Sequence, residues 1–192
     1  MKKQGFSLLE ILVAILVIGI LASLLLPMYN KMMERSHASE GIILLRRLYD
    51  SQKNYQIARG SFADSFKDLD FEFEGKKVTC KQSNKSDCWG YYNTEGIQGN
   101  RWSVELEKGD NPSISVGLIG GPYAGAGFFI QLERKSGVQY PLEKIACVEN
   151  AKGRFTYKGE KDSYCVGVIG GKLYPKAPGT TSRKYTMPLQ DI

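Results

Sequence analysis

Charge is missing from the chain between Ile11 and Asn30, a run of twenty residues. At 1.5 Å per residue, a helix of that length covers about 30 Å, the thickness of a bilayer's hydrocarbon core. The run therefore predicts a membrane-spanning helix. From Lys31 the pattern changes. Ala38, Ile42, Leu45, Leu48, Tyr49, Gln52 and Tyr55 recur at three- and four-residue spacing, while Glu34, Lys53 and Arg59 fall off that stripe. This is the pattern of an amphipathic helix with one face to cover. Gly60 supplies a C-cap, and Arg59 in the last turn favours the helix dipole. Pro27 removes one backbone hydrogen bond and is expected to kink or loosen the helix, with Gly19 and Gly41 as further soft points. A single helix from Phe6 to Arg59 would be about 80 Å long.

Beyond Gly60 the periodicity is that of strands. Residues 60–74 read as a connecting loop with a short helical turn. Val78-Thr79-Cys80 and Gly90-Tyr91-Tyr92-Asn93 predict brief strands. Trp102, Val104 and Leu106 alternate with Ser103, Glu105 and Glu107, which predicts a half-buried strand. Gly109-Asp110-Asn111-Pro112 is a turn signal, followed by a strand over Ser113–Leu118, a break at Gly120-Gly121-Pro122 and a strand over Phe128–Leu132. The three together predict an antiparallel meander resting one face on the amphipathic half of the helix. Ile145–Val148 and Tyr164–Ile169 are expected as further short strands near an edge or in a closed loop. Lys172–Ile192, rich in Pro, Gly, Thr and Lys, is expected to be an irregular tail.

Composition narrows the chemistry. A chain of 192 residues fits one domain and an appendage. Its net charge of +6 is mild and the signs are interspersed, so attraction to nucleic acid or anionic surfaces is compatible but not specified. The single histidine, His37, excludes catalysis that needs two. Four cysteines, Cys80, Cys88, Cys147 and Cys165, suggest disulfides in an oxidising compartment and allow three connectivities. No Cys-x-x-Cys occurs, so zinc is disfavoured and no metal or cofactor is expected. Asp64, Asp68, Asp70, Glu72 and Glu74 lack the spacing of a calcium loop and read as a solvated face. Val116–Gly121 and Val166–Gly171 echo each other as strand ends turning at Gly-Gly, without the lysine of a phosphate loop. Gly125-x-Gly127 precedes a strand, the reverse of a dinucleotide fingerprint. Trp102, Tyr91, Tyr92 and Tyr123 could stack on bases, although core packing explains them equally.

The head of the apolar run holds the most specific signal. Met1-Lys2-Lys3-Gln4 is short and positive, Gly5-Phe6-Ser7-Leu8-Leu9 follows, and Glu10 stands one step before the uncharged stretch. A carboxylate there costs on the order of 2–3 kcal/mol or more to bury in lipid without a partner. Two readings of it arise from the residues. It can satisfy its own helix N-terminus, worth about 0.3–1 kcal/mol through the dipole. It can also meet a positive group on a neighbouring molecule. A secretory signal would need a small-residue cleavage site just after the run, but Ser36-His37-Ala38 lies beyond Lys31, Glu34 and Arg35. Lys2 and Lys3 keep the amino end in the cytoplasm by the positive-inside tendency.

Gly5-Phe6-Ser7-Leu8-Leu9-Glu10 followed by about twenty apolar residues, with Pro27 inside them, resembles the processing signal of type IV pilins and type II secretion pseudopilins. The likeness is close over roughly the first thirty residues and looser beyond. It implies an α+β fold in which a long N-terminal helix, transmembrane in its first half and amphipathic in its second, packs on a C-terminal antiparallel sheet. The implied segments are a leader over 1–5, a transmembrane and assembly half over 6–30, an amphipathic half over 31–59 and a globular domain with disulfide loops over 60–192. Loss of that leader would take the net charge from +6 to +4. The resemblance implies cleavage between Gly5 and Phe6 by a prepilin peptidase, methylation of Phe6, and Glu10 as the assembly carboxylate. It also implies the pairs Cys80–Cys88 and Cys147–Cys165, since the second resembles the disulfide-closed C-terminal loop of many pilins.

The partners implied are the peptidase, identical or related subunits, an inner-membrane assembly platform and the membrane itself, with nucleic acid left open. The place implied is the inner membrane before assembly and a periplasmic or cell-surface filament afterwards. The chain would be a substrate of enzymes and not an enzyme. Alternatives within the same amino-terminal logic are a type II secretion pseudopilin, or a minor pilin-like protein whose globular part binds DNA or a surface.

Overall fold

The computed structural model describes residues 7–80, 94–109, 111–133, 142–149, 164–173 and 183–186. The chain divides into two compact units, Met1–His37 and Ala38–Ile192. A single helix, α1 (Leu8–Arg59), contributes to both. Its assignment is unbroken through Pro27, the residue that lacks the N–H its Ser23 carbonyl would accept. The Ser23 hydroxyl donates to the Ile20 carbonyl at 2.7 Å. The helix stops at Gly60, whose φ of 78° is open to a residue without Cβ. The Gly60 N–H donates to the Gln56 carbonyl at 2.8 Å, closing the last turn.

In the second unit α1 buries Ala38, Gly41, Leu45, Leu48, Ser51 and Gln52, with Ile42, Tyr49 and Tyr55 packed at the margins. That is the stripe read from the spacing, joined by Ser51 and Gly41. Gly41 is a point of close approach rather than a soft spot. A Cβ there would stand 2.6 Å from the Trp102 ring, so the missing side chain is the notch that seats the indole. Gln52 has a second task. Its amide donates to the Ala63 carbonyl at 3.0 Å and accepts from the Ala63 N–H at 2.9 Å, pairing with buried backbone as a strand would. This fastens the connecting segment to the helix. A 3₁₀ turn, Phe66–Asp68, follows, capped by Ser65.

Among the described residues, eight strands form one antiparallel sheet: β1 (Lys76–Cys80), β2 (Thr94–Gln98), β3 (Trp102–Glu107), β4 (Ser113–Leu118), β5 (Gly127–Gln131), β6 (Ile145–Glu149), β7 (Lys172–Leu173) and β8 (Arg183–Thr186). Their order is β1-β2-β3-β4-β5-β6-β8-β7, so the first six make a meander. Register places Val104, Val116, Phe128 and Cys147 in one row across β3 to β6, and Leu106, Ile114, Ile130 and Ile145 in the next. These rows share a face with Trp102, and the helix stripe joins the same core. Buried Gln131 closes the β3–β4 turn, its amide donating to the Asn111 and Pro112 carbonyls at 2.9 Å each.

Four expectations need correction. The β3 strand is not half-buried, because Ser103 and Glu105 on its other face are fully enclosed. The Ser103 hydroxyl donates to the Glu105 carboxylate at 3.2 Å, which lets this alternation of polar residues sit inside. Tyr164–Val168 is a π-helical turn and not a strand. The Ile169 N–H reaches the Tyr164 carbonyl at 3.0 Å, and the turn is held to β6 twice, by the Cys147–Cys165 disulfide and by the Cys165 N–H donating to the Glu149 carboxylate at 2.5 Å. Residues after Lys172 are not all irregular, since β7 and β8 join the sheet and β8 pairs with β6. That pairing makes β6 an interior strand. Finally, β2 went unread because Thr94-Glu95-Gly96-Ile97-Gln98 carries a single large apolar residue, while the strand expected at Gly90–Asn93 lies outside the described residues.

Lys53 ties α1 to the segment entering β6. Its ammonium meets the Glu143 carboxylate at 2.5 Å and lies 5.8 Å from the Phe62 ring centre. Glu143 holds φ at 60°, a costly conformation for a residue with Cβ. The Lys53 pKa rises above its usual 10.5 because of the hydrogen bond to Glu143. The Tyr49 phenol rises above 10.0 through burial first and then the nearby Glu143 charge.

Gly41→Ala should destabilise the detergent-solubilised chain by about 1–3 kcal/mol through overpacking. Gly19→Ala, which meets nothing within 4 Å, should leave its thermal unfolding unchanged. Both raised groups contribute stability that is complete below their unfolded pKa values and is lost as pH climbs through the folded ones. Unfolding followed from pH 8 to 11.5 should therefore show a loss beginning near pH 10, and Glu143→Gln should flatten it.

Candidate functional site

The segment read as the site begins at Gly5 and Phe6, which lie outside the described residues. From Ser7 onward its geometry is clear. The Ser7 N–H donates to Glu10 Oε2 at 2.8 Å, and the Leu9 N–H donates to Ser7 Oγ at 3.3 Å. The Ile11 N–H meets the Ser7 carbonyl at 3.3 Å. This is a capping box, in which a serine and a glutamate three residues on satisfy each other's ends of the helix. The local reading of Glu10 is thus the one the isolated chain adopts. Ser7 escaped notice in the sequence, although Ser-x-x-Glu ahead of an apolar run is a sufficient signal. Glu10 is exposed, and its second oxygen makes no hydrogen bond among the described residues.

Behind the cap every residue from 7 to 33 is exposed. Leu24 is 66% exposed, Ile18 64% and Leu21 53%, values usual for surface lysines and not for leucines. Each such side chain forgoes on the order of 1.5–3 kcal/mol by staying in water. The helix is long and apolar enough to cross a membrane. Its first half therefore carries an apolar surface on all sides with a single carboxylate at its head.

The other candidates fall elsewhere. Cys147 and Cys165 are bonded, with Cα atoms 5.7 Å apart, and both are fully buried. The proposed Cys80–Cys88 bond lies outside the described residues. Asp64, Asp68, Asp70, Glu72 and Glu74 are all exposed. Among the described residues, no three His, Cys, Asp or Glu side chains gather as a metal site. Trp102 is buried 6.2 Å from Phe128, and Tyr123 stacks on buried Tyr164 at 5.2 Å. Both aromatic rings are thus engaged in packing, while Tyr91 and Tyr92 lie outside the described residues. His37 is half-buried on α1.

Residues 1–26 match the family model described as the prokaryotic N-terminal methylation motif. The chain is 31% identical over 70 residues to the type IV major pilin protein PilA of Myxococcus xanthus, covering 36% of this chain and 32% of that one. It is 43% identical over 42 residues to a type IV major fimbrial protein FimA of Dichelobacter nodosus, covering 22% of this chain and 26% of the relative. A further FimA of that organism is 30% identical over 97 residues, which is 50% of this chain and 53% of the relative. The matched stretches thus span between about a quarter and about half of these relatives. No solved structure matches. By its amino-terminal motif and these relatives, the chain is similar to type IV pilins over up to half of its length.

Proposed function

We propose that the chain is a structural subunit of a type IV pilus or related filament, cut after Gly5, methylated on Phe6 and polymerised through the first half of α1. The observation that carries this reading is the apolar surface of residues 8–33, uncovered by its own chain and headed by Glu10. Such a surface is at rest only in lipid or among other helices. The chain waits in the inner membrane, amino end inward, and its globular part lies beyond the outer face. An assembly platform then moves it into a bundle of its copies.

Maturation matters because it creates a charge. Cleavage before Phe6 frees an α-amine beside the cap. Glu10 can keep one oxygen on the Ser7 N–H while the other accepts from a neighbour's amine. Opposite charges attract strongly at low dielectric, but desolvation consumes much of the gain. Their pairing selects one offset between helices more than it adds stability. The role of the chain is structural, and the peptidase supplies the chemistry.

Mass spectrometry of the mature amino terminus should find Phe6 first and carrying one added methyl group. An intact Met1 would overturn the reading. Glu10→Ala should leave insertion and cleavage normal while protein in the fibres sheared from cells falls at least tenfold. Ordinary fibre yield would sink the register argument. The same shearing distinguishes a long surface pilus from a short periplasmic pseudopilus.

A further inference from the structure

A cavity of about 410 Å³ opens between the connecting segment and the β1–β2 edge, walled by Phe66, Phe71, Phe73 and Ile97. Phe66 and Phe71 face each other with ring centres 6.0 Å apart. Lys67, Lys77, Glu72 and Glu74 stand around its rim, all four exposed. None of these four forms an ion pair among the described residues. Phe66, Phe71 and Ile97 on the floor belong to the buried core, Phe73 is half-buried, and the rim charges stand exposed.

Elsewhere on the second unit stands a side chain with the opposite defect. Ile57 is 83% exposed in the last turns of α1, on the side away from Leu48 and Gln52. Arg59 lies two residues beyond it and Asp50 two turns before it, about 10 Å along the axis. Both are exposed and neither makes an ion pair within the described residues. A β-branched apolar knob is thus bracketed by one positive and one negative group. The pocket is an apolar floor bracketed by two of each.

We infer that Ile57 of one copy seats in the Phe66–Phe71–Phe73 pocket of the next, with Arg59 against Glu72 and Glu74 and Asp50 against Lys67 or Lys77. This rests on the filament reading above and gives it a second contact, outside the membrane-spanning half. Knob and pocket are different surfaces of one molecule, so the contact is heterologous. Such contacts propagate into open filaments unless rotation happens to close a ring. Seating the knob removes an isoleucine from water, and the flanking charges fix its direction and reject a reversed approach.

The test uses the full chain in cells that assemble it, reading the amount in sheared fibres and the thermal unfolding of detergent-solubilised protein. Ile57→Ser and Arg59→Glu should each lower fibre yield at least tenfold with unfolding unchanged. Glu72→Arg with Glu74→Arg should lower it similarly, and combined with Arg59→Glu should restore most of it. Wild-type yield from Ile57→Ser, or no rescue by the charge exchange, overturns this contact and leaves the functional reading intact. Absence of fibres from the unaltered chain overturns both.

Discussion

An apolar helix surface without a cover is the constraint from which the rest of this molecule follows. Residues 8–33 present leucine, isoleucine and valine on all sides, a composition that a water-exposed helix does not tolerate. Only two solvents suit it, lipid and other helices of the same kind. In the proposed filament the chain would start in one and pass to the other. Glu10 would make that passage selective. In the single chain its carboxylate caps its own helix through the Ser7 N–H. That capping lowers the cost of holding a charge at the membrane edge without using up both oxygens.

The second unit solves the same problem in the ordinary way. From Ala38 the helix narrows its apolar surface to a stripe and covers it with the rows of β3 to β6. The fit is made by subtraction at Gly41, where the absent Cβ admits Trp102, and by mimicry at Gln52, whose amide pairs with Ala63. The Cys147–Cys165 bond and the Glu149 carboxylate pin one turn to β6. A cross-link over 18 residues of separation restricts the unfolded chain, by about 3 kcal/mol in the chain-entropy model. Such reinforcement suits a domain whose α1 residues must serve both the core and the subunit's anchor.

What could be read in advance followed the strength of the local pattern. The helix and its stripe were legible because a 3.6-residue period over many turns has no competing explanation, and Gly60 ended it where its backbone conformation required. The strands over 102–107, 113–118 and 127–131 were legible from alternation and from the turn between them. The burial of Glu105 was not, because alternation reports which residues share a face and not whether that face is covered. The turn at Tyr164–Val168 has the composition of a strand, and two long-range ties to β6 override it. The short pairing of β8 with β6 has no local signature in a segment rich in Lys, Pro and Gly. At the site, the carboxylate announced itself by cost, whereas the hydroxyl of Ser7 that completes its cap was ordinary enough to pass unseen.

The two halves of α1 also divide the labour of recognition. An interface between apolar helices is strong but indifferent to register, since one leucine resembles the next along the rod. Specific offset has to come from features that occur once. Glu10 is such a feature, a single carboxylate where every neighbour is apolar. Ile57 is another, at 83% the most exposed large apolar side chain among the described residues of the second unit, ahead of Ile43 at 58%. The two lie 47 residues apart in the sequence, one in each unit. In the proposed filament, contacts at both would fix the offset and rotation of one subunit against another, which neither would do alone. Paired landmarks at its two ends are therefore the economical way for a uniform apolar rod to assemble in one arrangement.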